Sequence, residues 1–282
     1  MLQHEQLVAR GVFGKDAEGR FLQPRRPYRF DDVDPPPPRP APRLGEHTRS
    51  AAFAKQVDGA RGPTTEGTLP LAGLRILDLT AWWAGPAATH LLATFGAEVI
   101  HVESTARIDG LRTIGGMMVG HYPEWWEASP HFMHANSNKL AITLDLSKPK
   151  GRELVEKLIA RCDAVVENFT PRVLEGFGLG WERVRELNPR AILMRMPAFG
   201  LSGPWRDHPG FAQTMEQLSG LSWVTGHPHD QPRIPRGPCD PIAAMHATFA
   251  LLVAFAERRA LGRGLFVEST MVESTLNIAA EQ

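Results

Sequence analysis

From residue 75 onward the chain alternates short apolar runs with segments of helical period, and this alternation limits its fold more than any other feature. Residues 75–79, 97–102, 164–167 and 191–196 are apolar runs of strand length, suited to burial on both faces. Between them, residues 87–95, 151–161 and 181–187 carry helical spacing, and a long apolar helix is expected over about 241–259. Pro86 suits a first helical position, Gly96 a helix stop and Ser147 an N-cap for the 151–161 helix, whose Leu154, Leu158 and Ile159 share one face. Strands separated by crossover helices predict an α/β fold, a mostly parallel sheet with helices on both faces. No short-period solenoid repeat interrupts it.

The first part of the chain reads differently. Residues 34–43, DPPPPRPAPR, favour extended polyproline geometry and cannot continue a helix or a central strand. LGEHTRSAAFAKQ follows, and then VDGARGPTTEGTL at 57–69, a Gly-, Pro- and Thr-rich stretch with the composition of a linker. The boundaries expected are therefore a proline-rich tail over 1–56, a linker over 57–69 and an α/β unit over 70–282.

Charge and cysteine content exclude several classes. Lys plus Arg and Asp plus Glu both number 31, so the chain lacks the basic excess of a nucleic-acid binder. No run of about 18 apolar residues marks a membrane span, since the most apolar stretch, 242–256, is short and broken by His246. The opening MLQHEQLVARG has no apolar core of a signal peptide, and two distant thiols, Cys162 and Cys239, suit a reducing cytoplasm.

Four ordered stretches carry a resemblance: LAGLRILDLTAWWAGPAATHLLATFGAEVIHVES at 71–104, VENFTPRVLEGFGLGWERV at 166–184, PRGPCDPIAAMH at 235–246 and GRGLFVESTMVE at 262–273. Together they resemble the class III coenzyme A-transferases, the formyl-CoA and carnitine-CoA transferase family. The resemblance implies that 70–282 is the Rossmann-like, CoA-binding half of such a module, incomplete as it stands. Residues 1–56 resemble the closing segment of the same kind of protein, which runs through a small strand pair and a proline-rich stretch to LGEHT. The chain then reads as a fragment of a tandem fusion, the end of one module joined to the first half of the next. A solvated extension with a proline-rich linker is the plain alternative.

The resemblance also implies site residues. Trp82, Trp83 and Ala84 occupy the turn that touches the cofactor, where indole faces stack on adenine or line the pantetheine channel; the alternative is that the tryptophans fill a core or subunit contact. Leu144, after the Asn136-Ser-Asn-Lys139 element, matches a position lining the nucleotide pocket, and Lys139 is either a phosphate contact or a solvated surface charge. Asn168 and Phe169 face the adenine side, or merely turn the chain. Arg112, from Asp109-Gly-Leu-Arg112, is the phosphate candidate, because Ser104 stands where family members often carry arginine, leaving Arg107 or Arg112 to supply the charge. Asp240 matches the nucleophile; from composition alone it would be an ordinary carboxylate at a helix start. Met271 matches a position lining the thioester channel.

The function implied is transfer of coenzyme A from an acyl-CoA donor to a carboxylic acid acceptor through an aspartyl-CoA intermediate, with CoA as substrate and carrier and no prosthetic group or metal. The partners implied are the acyl-CoA and the acid, and either a homodimer or an intramolecular pairing of tandem modules. Related racemases need a second base near the position of Phe211, but residues 209–213 contain no titratable group. A racemase or isomerase, and a non-catalytic structural module, are the alternatives. Other motifs are weak. Residues 80–86 lack the G-x-G-x-x-G of dinucleotide enzymes. His131 and His134, or His227, His229 and Asp230, form no metal-binding pattern, residues 200–203 lack a nucleophile elbow, and Cys239 has no activating partner in sequence.

Overall fold

The structure is a computed structural model that describes residues 3, 13–24, 39–40, 42–43, 45–48, 69–114, 120–121 and 123–279. The chain divides into two units, Met1–Pro70 and Leu71–Gln282. In the first unit, β1 (Phe13–Lys15) and β2 (Leu22–Pro24) form an antiparallel pair in which Phe13 faces Pro24. Asp16 closes the connecting turn by accepting the backbone N–H groups of Arg20 at 2.5 Å and Phe21 at 3.3 Å. Most of the proline-rich run at 34–43, and the linker over 57–68, lie outside the described residues.

The second unit runs β3 (Arg75–Asp78), α1 (Ala84–Thr94), β4 (Glu98–Glu103), α2 (Gly110–Thr113), a 3-10 turn (Trp125–Ala128), α3 (Pro130–Asn136) and β5 (Leu140–Thr143). It continues through α4 (Pro149–Ile159), β6 (Ala164–Glu167), α5 (Pro171–Gly176), α6 (Trp181–Leu187), β7 (Ile192–Arg195), α7 (Ala212–Leu218), α8 (Cys239–Leu261), β8 (Phe266–Glu268) and α9 (Met271–Ala279). The sheet has six strands in the order β5-β4-β3-β6-β7-β8, and every pairing is parallel. This is the doubly wound order, with its reversal between β3 and β6.

The sequence explains the layers. β6 reads Ala-Val-Val-Glu and β7 Ile-Leu-Met-Arg, and every one of these residues is buried, as a central parallel strand covered on both faces requires. The edge strand β5 is mostly exposed. On one face, α1 and α8 pack through small residues, with Ala84, Ala88, Ala243, Ala244 and Ala247 almost wholly buried around Leu92 and Leu251. By length and hydropathy α8, with 23 residues, would be able to cross a bilayer. Its buried stripe in this core is what a core helix shows.

Two local expectations change and a third holds. α1 begins at Ala84 rather than at Pro86, because Trp83 already has right-handed helical angles and acts as the N-cap. Pro86 still falls in the first turn, where its missing N–H has no intrahelical partner to lose. Ser147 does not cap α4; its hydroxyl donates to Asp145 Oδ1 at 2.6 Å, and Lys148 and Pro149 take the N-cap and first helical positions. Gly96 does stop α1, with φ at 101° just past the C-cap Phe95.

Candidate functional site

In a doubly wound sheet, ligands enter at the carboxyl ends of the strands, where the strand order reverses. Here that place lies between β3 and β6. The turn after β3 is tied to the turn after β6 by Asn168: its Oδ1 accepts the Ala81 N–H at 2.9 Å, and its amide donates to the Ala81 carbonyl at 2.7 Å. The amide expected to read adenine is thus used to fix the backbone that carries Trp82 and Trp83. Phe169 beside it is half-buried, its N–H donated to Glu167 Oε2 at 2.7 Å.

The two tryptophans diverge. Trp82 sits in the left-handed region at φ 64°, its N–H shared between both Asp109 oxygens at 3.2 Å. Its indole covers Gly110 so closely that a Cβ there would lie 2.4 Å from the ring, and it meets Phe211 edge-on at 5.1 Å. At 39% exposed it is open to a ligand. Trp83 turns toward Gly237 and His131. Ala84 is buried at the start of α1.

Beneath this turn lies a buried charge cluster. Asp78 Oδ1 accepts the Thr80 N–H at 2.9 Å and its hydroxyl at 2.6 Å; Oδ2 accepts Thr89 Oγ1 at 2.7 Å and Lys139 Nζ at 2.9 Å. His101 Nδ1 lies 3.1 Å from the same oxygen, close but not aligned as a hydrogen bond. Burial alone would raise the Asp78 carboxyl, but Lys139 and His101 outweigh it and hold it far below the usual carboxylate range. Lys139 also donates to the Pro86 carbonyl and to Asn136 Oδ1. It is therefore neither a phosphate contact nor a solvated surface charge, the two roles the sequence suggested.

Arg112 is likewise committed. It grips Glu103 through two bonds of 2.8 and 2.7 Å, pairs with Glu127 at 2.8 Å, and stacks 3.6 Å over the Phe132 ring. Carboxylates fill the fork that a phosphate would need, so the geometry does not fit the phosphate role expected of it. Arg107, on the same loop and bridged by backbone to Ser104, is exposed.

At the other side of the turn, α8 opens with Cys239 and Asp240 in its first turn after Pro238. A crossover helix runs antiparallel to its strands, so this N-terminus lies at the carboxyl edge of the sheet. The contact of Gly237 with Trp83 brings it to the β3 turn. Asp240 is half-buried and is not an N-cap; burial, aided by the charge of Glu216, pushes its carboxyl up to about 7. Cys239 is buried, receives a hydrogen bond from Thr275 Oγ1 at 3.0 Å, and has its thiol pushed up to about 11, mainly by burial. It is no thiolate nucleophile.

Glu216 was not singled out from the sequence. It is wholly buried on α7 and accepts the N–H groups of Arg236 at 3.0 Å, Gly237 at 2.8 Å and Cys239 at 3.4 Å. The signal was present: Ala212, Met215 and Glu216 share one helical stripe, which places a carboxylate on the core face.

Leu144 is half-buried just past β5, its N–H donated to the Glu103 carbonyl at 2.9 Å. Met271, expected on a channel, is only 6% exposed and belongs to the same core cluster as Cys239. Among the described residues no three His, Cys, Asp or Glu groups gather as a metal site requires.

Residues 71–282 match CoA-transferase family III. Succinyl-CoA–D-citramalate CoA-transferase from Chloroflexus aurantiacus is 40% identical over 208 residues, which span 73% of this chain and 50% of the relative. Human succinyl-CoA:glutarate CoA-transferase is 34% identical over 206 residues, 73% of this chain and 46% of that protein. A CAIB/BAIF family protein from Brucella suis superposes with a TM-score of 0.70 at 30% identity, covering 76% of this chain and 56% of its own. The chain thus spans about half the length of the curated relatives it matches.

Proposed function

The chain belongs to CoA-transferase family III, and from that membership and the site at the β3–β6 reversal we propose that it forms the CoA-binding, nucleophile-bearing half of an acyl-CoA:carboxylate CoA-transferase. One observation carries the reading: a half-buried carboxylate, Asp240, stands at the head of a crossover helix beside the strand turn that presents Trp82 and Trp83.

The Asp240 carboxylate attacks the thioester carbonyl of the donor; the C–S bond breaks, leaving a mixed anhydride and the CoA thiolate. The thiolate attacks the Asp240 carbonyl of that anhydride, releasing the donor acid and leaving an aspartyl-CoA thioester. The acceptor carboxylate attacks this thioester, expelling the thiolate and forming a second anhydride. The thiolate then attacks the acceptor carbonyl, giving the new acyl-CoA and freeing Asp240. Splitting the exchange lets Asp240 carry the CoA between donor and acceptor, so the donor thioester and the acceptor acid never have to react with each other. A carboxyl pushed up to about 7 is still substantially ionised at neutral pH, and as an anion it is more basic and poorly solvated, which favours attack.

In this reading Trp82, Trp83, Phe169 and Leu144 border the adenine and pantetheine, Asn168 and Ala84 fix the turn, and the exposed Arg107 takes the phosphates in place of Arg112. Phe211, edge-on to Trp82, supplies an aromatic wall where a racemase needs a second base, and this favours transfer over racemisation. We assign residues 1–56 to the end of a preceding module, 57–69 to the linker and 70–282 to the first half of the next. The enzyme acts in the cytoplasm, as a homodimer or through pairing of its tandem modules, on an acyl-CoA and a carboxylic acid.

The test uses the full-length protein, incubated with acyl-CoA and hydroxylamine and mapped by mass spectrometry. A hydroxamate at Asp240 is expected. Full turnover by Asp240→Asn, without deamidation back to Asp, overturns the reading.

A further inference from the structure

We propose that Glu216 is the positioning residue of Asp240, its buried carboxylate holding the 236–239 turn by three backbone N–H groups and setting a fixed negative charge beside the nucleophile. The inference rests on the reading of Asp240 as nucleophile and adds a second carboxylate that does not touch substrate.

The turn before α8 is an awkward piece of backbone. Arg236 has φ at 66°, in the left-handed region that an arginine seldom adopts, and Gly237 follows at 132°. Such a turn persists only where its surroundings hold it. Pro238 is the N-cap of α8, has no N–H and makes no side-chain cap bond, so the usual Ser or Asp device is absent. Glu216 takes its place from another helix. One carboxylate receives Arg236, Gly237 and Cys239, the N–H groups on either side of the proline. Asp240 is the next residue, so its direction is fixed by whatever fixes that turn.

The same group acts electrostatically. A helix N-terminus ordinarily favours a carboxylate as the anion. Here the Cys239 N–H of the first turn is given to Glu216, Pro241 has none and that of Ile242 goes to the Pro238 carbonyl, and the effect of Glu216 on Asp240 is repulsion, added to burial. Other titratable groups on the surrounding elements are Arg236 and Cys239 on the turn itself, His131 across Trp83, and Glu273 on α9. On other elements packed against α8, His90 of α1 bonds the Ser137 carbonyl, Arg195 of β7 pairs with Glu167, and Glu268 of β8 bonds Leu201. None of these contributes to the Asp240 shift, whose causes are burial and Glu216. The fixing of the turn that places the nucleophile and the repulsion that adds to burial in raising its carboxyl are therefore two effects of one side chain.

The experiment compares wild type, Glu216→Gln, Glu216→Asp and Asp240→Asn in the full-length protein, by pH profiles of kcat and kcat/KM and by the 13C carboxyl titration of Asp240, assigned by difference from Asp240→Asn. Glu216→Gln keeps an acceptor for the turn but removes the charge. It should lower the acid-limb midpoint and the Asp240 titration by roughly one pH unit, and reduce kcat more than it raises KM. Glu216→Asp, which restores the charge, should return the midpoint toward wild type. Loss of activity in Asp240→Asn with a wild-type profile and titration in Glu216→Gln overturns the role of Glu216 alone. Activity in Asp240→Asn instead removes the nucleophile reading, and the carboxyl titration then still decides whether Glu216 controls that group. Should Glu216→Gln not fold, 13C-labelled Glu in the wild type decides it: the Glu216 signal must move as Asp240 titrates, and an unmoved signal overturns the coupling.

Discussion

Asn168 and Ala81, 87 residues apart in sequence, exchange two hydrogen bonds across the reversal of the sheet, 2.9 Å to the side chain and 2.7 Å from it. This clamp sits where the strand order allows a ligand to enter, so it ties sheet topology to the shape of the site. Asn168→Ala leaves a half-buried N–H and carbonyl without partners. The expected cost is about 1–3 kcal/mol of stability, together with weaker binding of CoA as the Trp82–Trp83 turn loosens. Chemical denaturation and calorimetry of the full-length protein check both. Asn168→Asp, which keeps the acceptor and loses the return bond, should fall between Ala and wild type.

Gly110 and Trp82 offer a steric test of the same turn. A Cβ at Gly110 would lie 2.4 Å from the outer atoms of the indole, a rigid group that cannot swing aside cheaply. Gly110→Ala should cost about 1–3 kcal/mol by overpacking. Trp82→Phe removes those outer atoms, so the second change should relieve much of the first. A double-mutant cycle by thermal unfolding reads the coupling, and strict additivity would show that the ring does not lie over Gly110 in solution.

Arg112 and Lys139 separate a structural charge from a ligand-binding one. Lys139→Met leaves Asp78 with its principal cation removed in a wholly buried place, and about 3–5 kcal/mol of stability should go with it. Arg112→Met strands Glu103 and Glu127 at a partly exposed site and should cost less. If Arg112 serves the fold, its loss weakens CoA and dephospho-CoA equally, whereas Arg107→Ala should weaken CoA more. Paired titrations of the two ligands decide this, and a selective effect of Arg112→Met would return the phosphate to it.

The alternation of apolar runs and helical segments was enough to read the parallel sheet, because buried parallel strands such as β6 and β7 need continuous apolar residues that no loop requires. The location of Asp240 at the start of a long helix was legible for a similar reason: proline followed by an apolar periodic stretch marks a helix entry. What escaped was the destination of the polar side chains. Lys139, Asn168 and Arg112 carry groups suited equally to a ligand and to the backbone or carboxylates of the protein, and the competitors, Asp78, Ala81 and Glu103, lie 9 to 87 residues away in sequence. Glu216 was overlooked for a different reason. A glutamate in a short helix reads as solvated unless its place on the stripe with Ala212 and Met215 is counted.

The raised carboxyl of Asp240 also makes a prediction about the fold itself. In the unfolded chain an aspartate titrates near ~3.9; in the folded protein burial, then Glu216, pushes this one up to about 7. Between those values the native state holds a proton that the unfolded chain has released, so ionisation of Asp240 opposes folding and its contribution to stability falls as pH rises from about 4 to about 7. Above about 7 the group is ionised in both states and the slope ends. Asp240→Asn carries no titrating group and should lack this slope. The difference in unfolding free energy between Asp240→Asn and wild type should therefore widen in favour of the variant across that range and then stay constant. Asp78 contributes with the opposite sign, since a carboxyl held low stabilises the fold above its unfolded value and loses that effect only in acid. It is common to both proteins and cancels in the difference. Urea denaturation of the pair at closely spaced pH values measures the curve, and a flat difference between pH 4 and 7 would show that Asp240 titrates as an ordinary carboxylate and has none of the basicity proposed for attack on the thioester.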